Sequence, residues 1–490
     1  MRTQSKIFFS PLPSALLHLT CIFCLLSAAA SSQPITFEKY YDFGATEEGY
    51  SVQQTSDGGY IIAGQQRIGI GFSNILLQKV DSIGQTQWTK FINYYSDNQA
   101  WSVKQTVDKG YILTGETRLG STPYVYLVRT DSIGDTLWTK RVFPCLNCQG
   151  YGRDVLQTTD GGYTILALAA APSDTTGPFY LIKTNASGDT LWTKKYTHAY
   201  GSAGYSLKQT SDGGYIIGGM TILATNPSAK FAVYLIKTDV NGDTLWTKII
   251  ADTVSNSIRA YSVQQTSDGG YFTSGSVYNP GILTTDVYLI KTDAGGDTLW
   301  TRKIGGAGDE GGVGQQTSDG GYIIAGSTTS FGSGSADAYL LKTDSDGNKV
   351  WEKAFGGISD DQGNHLELTS DGGFVITGIT TSFGSGDVYL IKTDSNGVVM
   401  TGIDEFAGRE IKLKIYPNPF FSYANVEMEK EGDDSGYMAI YDAIGQEVKR
   451  INAENSSLVI HRSGLPAGLY FLNVYNSLGQ IIARSKIIIQ

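Results

Sequence analysis

A six-residue phrase recurs along this chain at a nearly fixed interval. Thr-Ser-Asp-Gly-Gly-Tyr stands at residues 55–60, 210–215, 266–271 and 317–322, with edited copies at 106–111, 158–163 and 369–374. The aspartates Asp57, Asp108, Asp160, Asp212, Asp268, Asp319 and Asp371 follow one another at 51, 52, 52, 56, 51 and 52 residues. A period of this size means one supersecondary unit built again and again, each burying its faces against its neighbours.

The unit at residues 204–248 shows what is repeated. Tyr205-Ser-Leu-Lys-Gln-Thr210 is a short alternating run, followed by the turn Ser211-Asp-Gly-Gly214. Tyr215-Ile-Ile-Gly-Gly219 comes next, then a loop of variable length, then the β run Phe231-Ala-Val-Tyr-Leu-Ile-Lys-Thr238. A second turn, Asp239-Val-Asn-Gly242, leads to Leu245-Trp-Thr-Lys248. The runs are rich in β-branched and aromatic residues and bounded by turn residues, which predicts four strands, a to d. Nothing in the repeats carries an apolar period of 3.6 over more than two turns, so no helix is expected there.

Four antiparallel strands in about 50 residues describe a propeller blade. The phrase occurs seven times, yet strand d ends on tryptophan only six times, at Trp88, Trp138, Trp192, Trp246, Trp300 and Trp351; Thr401 stands where a seventh would fall. The missing strand is read at the N-terminal end, in Pro34-Ile-Thr-Phe-Glu-Lys39, with Phe37 in the tryptophan place. Phe37 precedes Tyr50 by the same interval that separates Trp88 from Trp101, Trp138 from Tyr151 and Trp192 from Tyr205. Residues 34–42 are therefore expected to supply the outer strand of the last blade and remove the exposed edges of a broken ring. The predicted fold is all-β: a seven-bladed β-propeller of four-stranded blades over residues 34–398, a linker at 399–412, and a small β-sandwich over 413–490.

Residues 1–30 read as a signal peptide: Arg2 and Lys6 precede a mostly apolar stretch from Leu16 to Ala30, and Ala28-Ala-Ala30 offers small residues for cleavage. The apolar run is short for a membrane anchor. Net charge is −10 without a basic patch, which argues against nucleic acid as a partner. Beyond the signal only Cys145 and Cys148 remain. In an exported chain so close a pair most simply closes a disulfide loop; two idle thiols, or a metal or redox role, are the alternatives.

After the linker, several motifs occur in order. Tyr416-Pro-Asn-Pro419, Tyr441-Asp-Ala-Ile-Gly-Gln-Glu-Val448, Leu465-Pro-Ala-Gly-Leu-Tyr470 and Lys486-Ile-Ile-Ile-Gln490 resemble the type A C-terminal sorting domain of the type IX secretion system of Bacteroidetes-type bacteria. The resemblance covers roughly residues 411–490 and implies an immunoglobulin-like sandwich. It assigns Tyr416, Pro417, Asn418, Pro419, Gly468, Tyr470 and Lys486 to the sorting signal. It also implies passage through the periplasm, then secretion or outer-membrane surface attachment. The implied partners are the type IX machinery, its sorting protease and surface lipopolysaccharide. More loosely, Asp131-Ser-Ile-Gly-Asp-Thr-Leu-Trp138 and its copies resemble the tryptophan-docking motif of quinone-type propellers, which implies that each tryptophan packs between neighbouring blades but no quinone.

Chemistry is harder to place. The mature chain has three histidines, His198, His365 and His461, and no Gly-x-Ser-x-Gly elbow or phosphate loop in the right context. No catalytic residue, cofactor or metal is assigned. Asp57 and its equivalents suit tight turns. Asp344-Ser-Asp-Gly347 resembles a calcium loop only faintly, lacking the later bidentate glutamate. Lys79, Lys183, Lys237, Lys291, Lys342 and Lys392, with Arg129 in the second unit, end strand c and are expected to snorkel or pair with a nearby aspartate.

Strand alternation puts the nearly identical a–b and c–d turns on one face, and the variable b–c and d–a loops on the other, where binding function resides on rigid scaffolds. Aromatic candidates there are Tyr94, Tyr95, Tyr196, Tyr200 and Tyr278, with Phe143, Phe331 and Phe383 beside them; packing of their own loops is the competing role. The leading expectation is a secreted or surface propeller that binds an unknown glycan or protein ligand through this face. The alternatives are an extracellular hydrolase or lyase at the channel mouth, and a structural surface-layer component.

Overall fold

The computed structural model describes residues 35–399 and 413–490, apart from 94–95, 175–176, 199, 225–228, 253, 256, 429–435, 443–445, 454–456 and 476–480. The segment read as a signal peptide, Tyr94, Tyr95 and nearly all of the expected linker lie outside the described residues. The chain divides into two compact units, Met1–Met400 and Thr401–Gln490.

The repeated phrase is built around one ion pair. Thr55 N–H donates to the Gly59 carbonyl and Gly58 N–H to the Thr55 carbonyl, closing the turn at 2.8 and 2.9 Å. Gly58 adopts φ +83°, open to glycine at no steric cost. A side chain on Gly59 would run into the Val80 carbonyl and the Lys79 ammonium, so the second glycine is required by close approach. Asp57 accepts hydrogen bonds from the Thr55 hydroxyl (2.5 Å) and Gly59 N–H (3.1 Å). Its other oxygen meets Lys79 Nζ at 2.9 Å. That ammonium is buried and also donates to the Val80 carbonyl at 3.0 Å. The same pair recurs as Lys183–Asp160, Lys237–Asp212, Lys291–Asp268, Lys342–Asp319 and Lys392–Asp371, with Arg129–Asp108 in the second unit. Hydrogen bonds from Lys183 and Thr158 hold the Asp160 carboxyl down to about 2, and Lys237 and Thr210 do the same for Asp212. The aspartate is therefore the counterion that lets strand c bury a lysine.

Around this turn the strands assemble into four-stranded antiparallel sheets of the kind that form propeller blades, and the described residues hold no helix. Tyr60–Gly69 pairs with Thr46–Gln54 on one side and Phe72–Val80 on the other, and Thr86–Ile92 completes the sheet. A single parallel bridge, Ser73 to Asp97, links this sheet to the next. Among the described residues no sheet closes on itself.

The register across strands c and d is constant. Lys79 faces Trp88, Arg129 faces Trp138, Lys183 faces Trp192, Lys237 faces Trp246, Lys291 faces Trp300 and Lys342 faces Trp351. In the last sheet, Asp387–Thr393 has no following partner strand among the described residues, and Phe37–Tyr41 pairs with it, placing Phe37 opposite Lys392. Each tryptophan then lies on the following sheet. Trp88 covers Gly134 of the next c–d turn and meets Tyr111 edge to face, ring centroids 5.8 Å apart. Trp138 repeats this on Gly188 and Tyr163, and Trp246 on Gly296 and Tyr271. Phe37 does the same on Gly84 and Tyr60, at 6.0 Å. It belongs to a buried cluster that joins Val375, Val388 and Leu390 of the last sheet to Val52, Ile62 and Leu76 of the first.

The second unit packs two antiparallel sheets on one core. One contains Leu413–Tyr416, Tyr423–Met428 and Ser457–His461; the other contains Glu447–Ala453, Gly436–Tyr441, Gly468–Tyr475 and Ile481–Ile489. Phe420, Val426, Met438, Ile440, Leu472 and Ile487 are buried between them. Asn418 clamps the last strand, donating to the Lys486 carbonyl at 2.8 Å and accepting from Ile488 N–H at 2.9 Å. The Tyr470 hydroxyl donates to the Pro466 carbonyl at 2.9 Å.

Two stability measurements follow from these contacts. Phe37→Ala removes a buried ring that joins the last sheet to the first and is expected to cost about 3–5 kcal/mol in denaturant unfolding. Lys109 occupies the place of Gly58 in the second copy at φ +69°. Lys109→Gly relieves that conformation and is expected to stabilise the fold by about 1 kcal/mol.

Candidate functional site

Strand a carries a bulge in the same place in all but one of the repeated sheets. In the first sheet Gly49 pairs with Gly64 and Ser51 with Ala63, so Tyr50 is the extra residue. The same shift singles out Trp101, Arg153, Tyr205, Tyr261 and Asn364. A bulge interrupts the ladder and re-aims its side chain. In Glu310–Gln316 the register runs unbroken against Tyr322–Thr328, and Gly311, Gly312 and Gly314 offer no side chain.

The bulge residues converge on a cavity of about 720 Å³, whose lining includes Tyr50, Trp101, Arg153, Tyr205, Tyr261 and Asn364. Tyr50 stacks on Trp101 with centroids 4.3 Å apart. The Arg153 guanidinium is held between two rings, 4.8 Å from Trp101 and 5.3 Å from Tyr205. Tyr205 meets Tyr261 edge to face at 6.2 Å. These five side chains form an arc, and the glycines of the unbulged strand leave the neighbouring wall open. Polar groups complete the lining. The Tyr50 hydroxyl donates to Glu48 at 2.9 Å, and Asn364 Nδ2 donates to Glu48 at 3.1 Å and to the Gly49 carbonyl at 3.0 Å. The Tyr261 hydroxyl pairs with Ser276 at 2.9 Å. Burial first, then the Glu48 carboxylate, raises the Tyr50 hydroxyl above its ordinary value, so it remains a neutral donor. Asp309, in a d–a loop, and Thr285, near the start of a strand c, also line the cavity, which places it toward the variable face.

One residue further along strand a, a ladder ties sheet to sheet. Val103 N–H donates to Ser51 Oγ at 3.2 Å, Val155 N–H to Ser102 at 3.4 Å, Leu207 N–H to Asp154 at 3.0 Å, Val263 N–H to Ser206 at 3.2 Å and Gly314 N–H to Ser262 at 2.9 Å. Val52 N–H of the first sheet donates to His365 Nδ1 of the last at 3.4 Å. Burial, then the Lys104 and Lys208 charges, keep His365 well below its ordinary value, so the imidazole is neutral and free to accept. Deeper still, burial and then Lys104 lower the Lys208 ammonium, while burial raises Glu367.

The aromatic side chains expected to bind ligand are not gathered at this cavity. Tyr196 is 6% exposed, stacked on Phe179 at 5.4 Å, with its hydroxyl donating to the Gly242 carbonyl at 2.6 Å; it is a core residue and not a surface contact. Tyr200 is 51% exposed and Tyr278 half-buried, and neither lines the cavity. Phe143, Phe331 and Phe383 pack on Tyr124, Tyr339 and Tyr40. Cys145 and Cys148 are bridged, with Cα atoms 5.2 Å apart. Asp344 spends its oxygens on its own turn, accepting from Asp346 N–H, Asn348 N–H and Asn348 Nδ2. The fixed interval from the closing aromatic sets Tyr151 beside Tyr50; the bulge puts Arg153 there instead. The signal that reveals the site is the residue five before the threonine of each phrase, which varies where its neighbours repeat.

Residues 414–490 match the family model of the secretion system C-terminal sorting domain. A search of curated proteins finds no match. Among solved structures, the chain is similar to PorZ of Porphyromonas gingivalis, described as an essential bacterial surface component of the type IX secretion system. The identity is 10% at TM-score 0.40, over 89% of this chain and 58% of that one. A puromycin hydrolase aligns at 11% identity and TM-score 0.47, over 77% of this chain and 58% of that one. A fungal alcohol oxidase in complex with copper aligns at 12% identity and TM-score 0.42, over 93% of this chain and 100% of that one. Likenesses this distant carry nothing about chemistry. The sorting-domain match gives a destination: export by way of the periplasm to the cell surface or beyond.

The His365 contact has a pH signature. The unfolded chain protonates this histidine near pH 6.5 and the folded chain resists it, so stability is complete above that pH and declines as pH falls below it, by up to about 1.4 kcal/mol per unit. Thermal unfolding is expected to show this step between about pH 7 and pH 5. His365→Ser, which restores the acceptor used at four other junctions, is expected to flatten it.

Proposed function

We propose that this type IX secretion cargo is a secreted or surface-attached seven-bladed β-propeller that binds a glycan at the mouth of its central channel. The constant register opposite strand c, from Lys79–Trp88 through to Lys392–Phe37, supports seven blades. The hydrogen bond from Val52 to His365 supports a ring in which the last blade meets the first. The two-sheet C-terminal unit supports an immunoglobulin-like sorting sandwich, with lipopolysaccharide as the surface attachment.

The observation that carries the binding reading is the arc of bulge side chains from Tyr50 to Tyr261. The C–H groups of a pyranose ring bury against the exposed edges of the stacked arc, while its hydroxyls reach Arg153, Glu48 and Asn364. A few directional polar groups in an otherwise aromatic cleft of several hundred Å³ suit a small ligand or a chain end. Arg153 is preorganised, because stacking on both sides fixes the guanidinium plane before a ligand arrives.

A glycan array with the exported protein, followed by calorimetry on the hits, tests the reading. Trp101→Ala and Arg153→Ala are each expected to weaken binding by about tenfold or more with the unfolding midpoint little changed. Tyr200→Ala is expected to leave affinity unchanged. Glycan binding that survives both cavity substitutions would place the ligand elsewhere on the variable face.

A further inference from the structure

The loop that joins the closing strand to the first sheet carries an acidic cluster. Asp42 follows Phe37–Tyr41, Glu47 lies in Thr46–Gln54, and Asp387 opens the strand Asp387–Thr393. One carboxylate oxygen from each lies within 4.8 Å of the others. Glu47 and Asp387 are fully buried and Asp42 is exposed.

Two of the three are conventionally satisfied. Glu47 accepts from Ala45 N–H at 3.1 Å and Gln66 Nε2 at 3.0 Å, and Asp42 accepts from Gly44 N–H at 2.7 Å. Asp387 is different, since neither of its oxygens has a hydrogen-bond partner among the described residues. Nearby carboxylates find donors: Asp337, which opens the equivalent strand of the preceding sheet, accepts from Gly334 N–H at 3.1 Å, and Asp361, which opens strand a of the same sheet, accepts from Gly357 N–H at 2.8 Å and Ser382 Oγ at 2.6 Å. A buried carboxylate without donors, facing two further carboxylates, is unfavourable unless a cation neutralises it. Protonation would remove the charge but leave an oxygen without a donor.

We infer that Asp42, Glu47 and Asp387 hold a divalent cation of the calcium class at the junction of the last and first sheets. The donors are all hard oxygens with no imidazole or thiolate among them, which favours calcium over zinc or copper. Three carboxylates leave room for the waters and carbonyls that complete six to eight ligands, and exposed Asp42 gives an entry path. The ion ties the segment between Phe37–Tyr41 and Thr46–Gln54 to the strand that Phe37–Tyr41 completes. It therefore fastens the closing strand in place. Asp344, whose oxygens accept hydrogen bonds within its own turn, has no comparable unsatisfied carboxylate.

The test uses the exported full chain, stripped with chelator and dialysed, then titrated with calcium chloride by calorimetry and thermal unfolding. One site is expected, with the unfolding midpoint rising by about 2 °C or more at millimolar calcium. Asp387→Asn is expected to abolish both signals. Asp42→Asn, at an exposed position that leaves the core intact, is expected to weaken binding on the order of tenfold. Asp344→Asn is expected to change neither signal. No heat and no midpoint shift with calcium would overturn the assignment, as would a response unchanged in both the Asp387 and Asp42 variants.

Discussion

Everything else in the repeated unit depends on an aromatic ring seated on a glycine of the next sheet. The ring comes from strand d and the glycine from the following c–d turn, where a Cβ would strike the indole. The phrase tyrosine forms the other side of the seat, as Trp88–Tyr111, Trp138–Tyr163 and Trp246–Tyr271 show. One contact therefore relates three sequence features that look independent: the tryptophan, the turn glycine and the final residue of the phrase. It is also directional, since each sheet presents a ring forward and a seat behind. An array of such units leaves one seat empty at the start and one outer strand missing at the end. The segment Phe37–Tyr41 answers both needs, pairing with Asp387–Thr393 and laying Phe37 on Gly84.

The charged residues of the repeat follow from the same packing. Burying strand c on both faces leaves its terminal lysine in a low-dielectric setting, where an unpaired ammonium would be costly. The phrase aspartate meets it, and the second phrase glycine makes way for it. Repetition of the Asp57–Lys79 pair, with Arg129 for the lysine in the second unit, is thus a record of structural need. Function has to be sought where repetition lapses.

It lapses most informatively along the inner strands. Val52, Val103, Val155 and Val263 hold the same place, and small polar residues beside them accept the inter-sheet hydrogen bonds. The residue before those acceptors escapes the pattern because a bulge takes it out of the ladder. Freed from pairing, it has become Tyr50, Trp101, Arg153, Tyr205, Tyr261 or Asn364 in different sheets. Where the bulge is absent, at Gly311–Gly314, the wall is bare. The cavity owes its asymmetry to this one register position, and the sheet junction at Asp387 owes its unsatisfied carboxylate to a similar departure from its neighbours.

The sequence pattern was enough to read the four strands of each unit, the turns between them and the surrogate strand at Phe37, and a resemblance in its motifs identified the sorting domain. All of these rest on short motifs or on intervals that recur from repeat to repeat. The variable-face aromatics show the limit of that reading: Tyr196 looks like a loop residue in sequence but is a core ring against Phe179. Only the tertiary structure could place Arg153 between Trp101 and Tyr205, or bring Asp42 and Glu47 to Asp387 from the opposite end of the repeat array. The reason is physical. A bulge is a property of two paired strands, and a site built between sheets depends on how those sheets meet, so neither is written in any one segment of the chain.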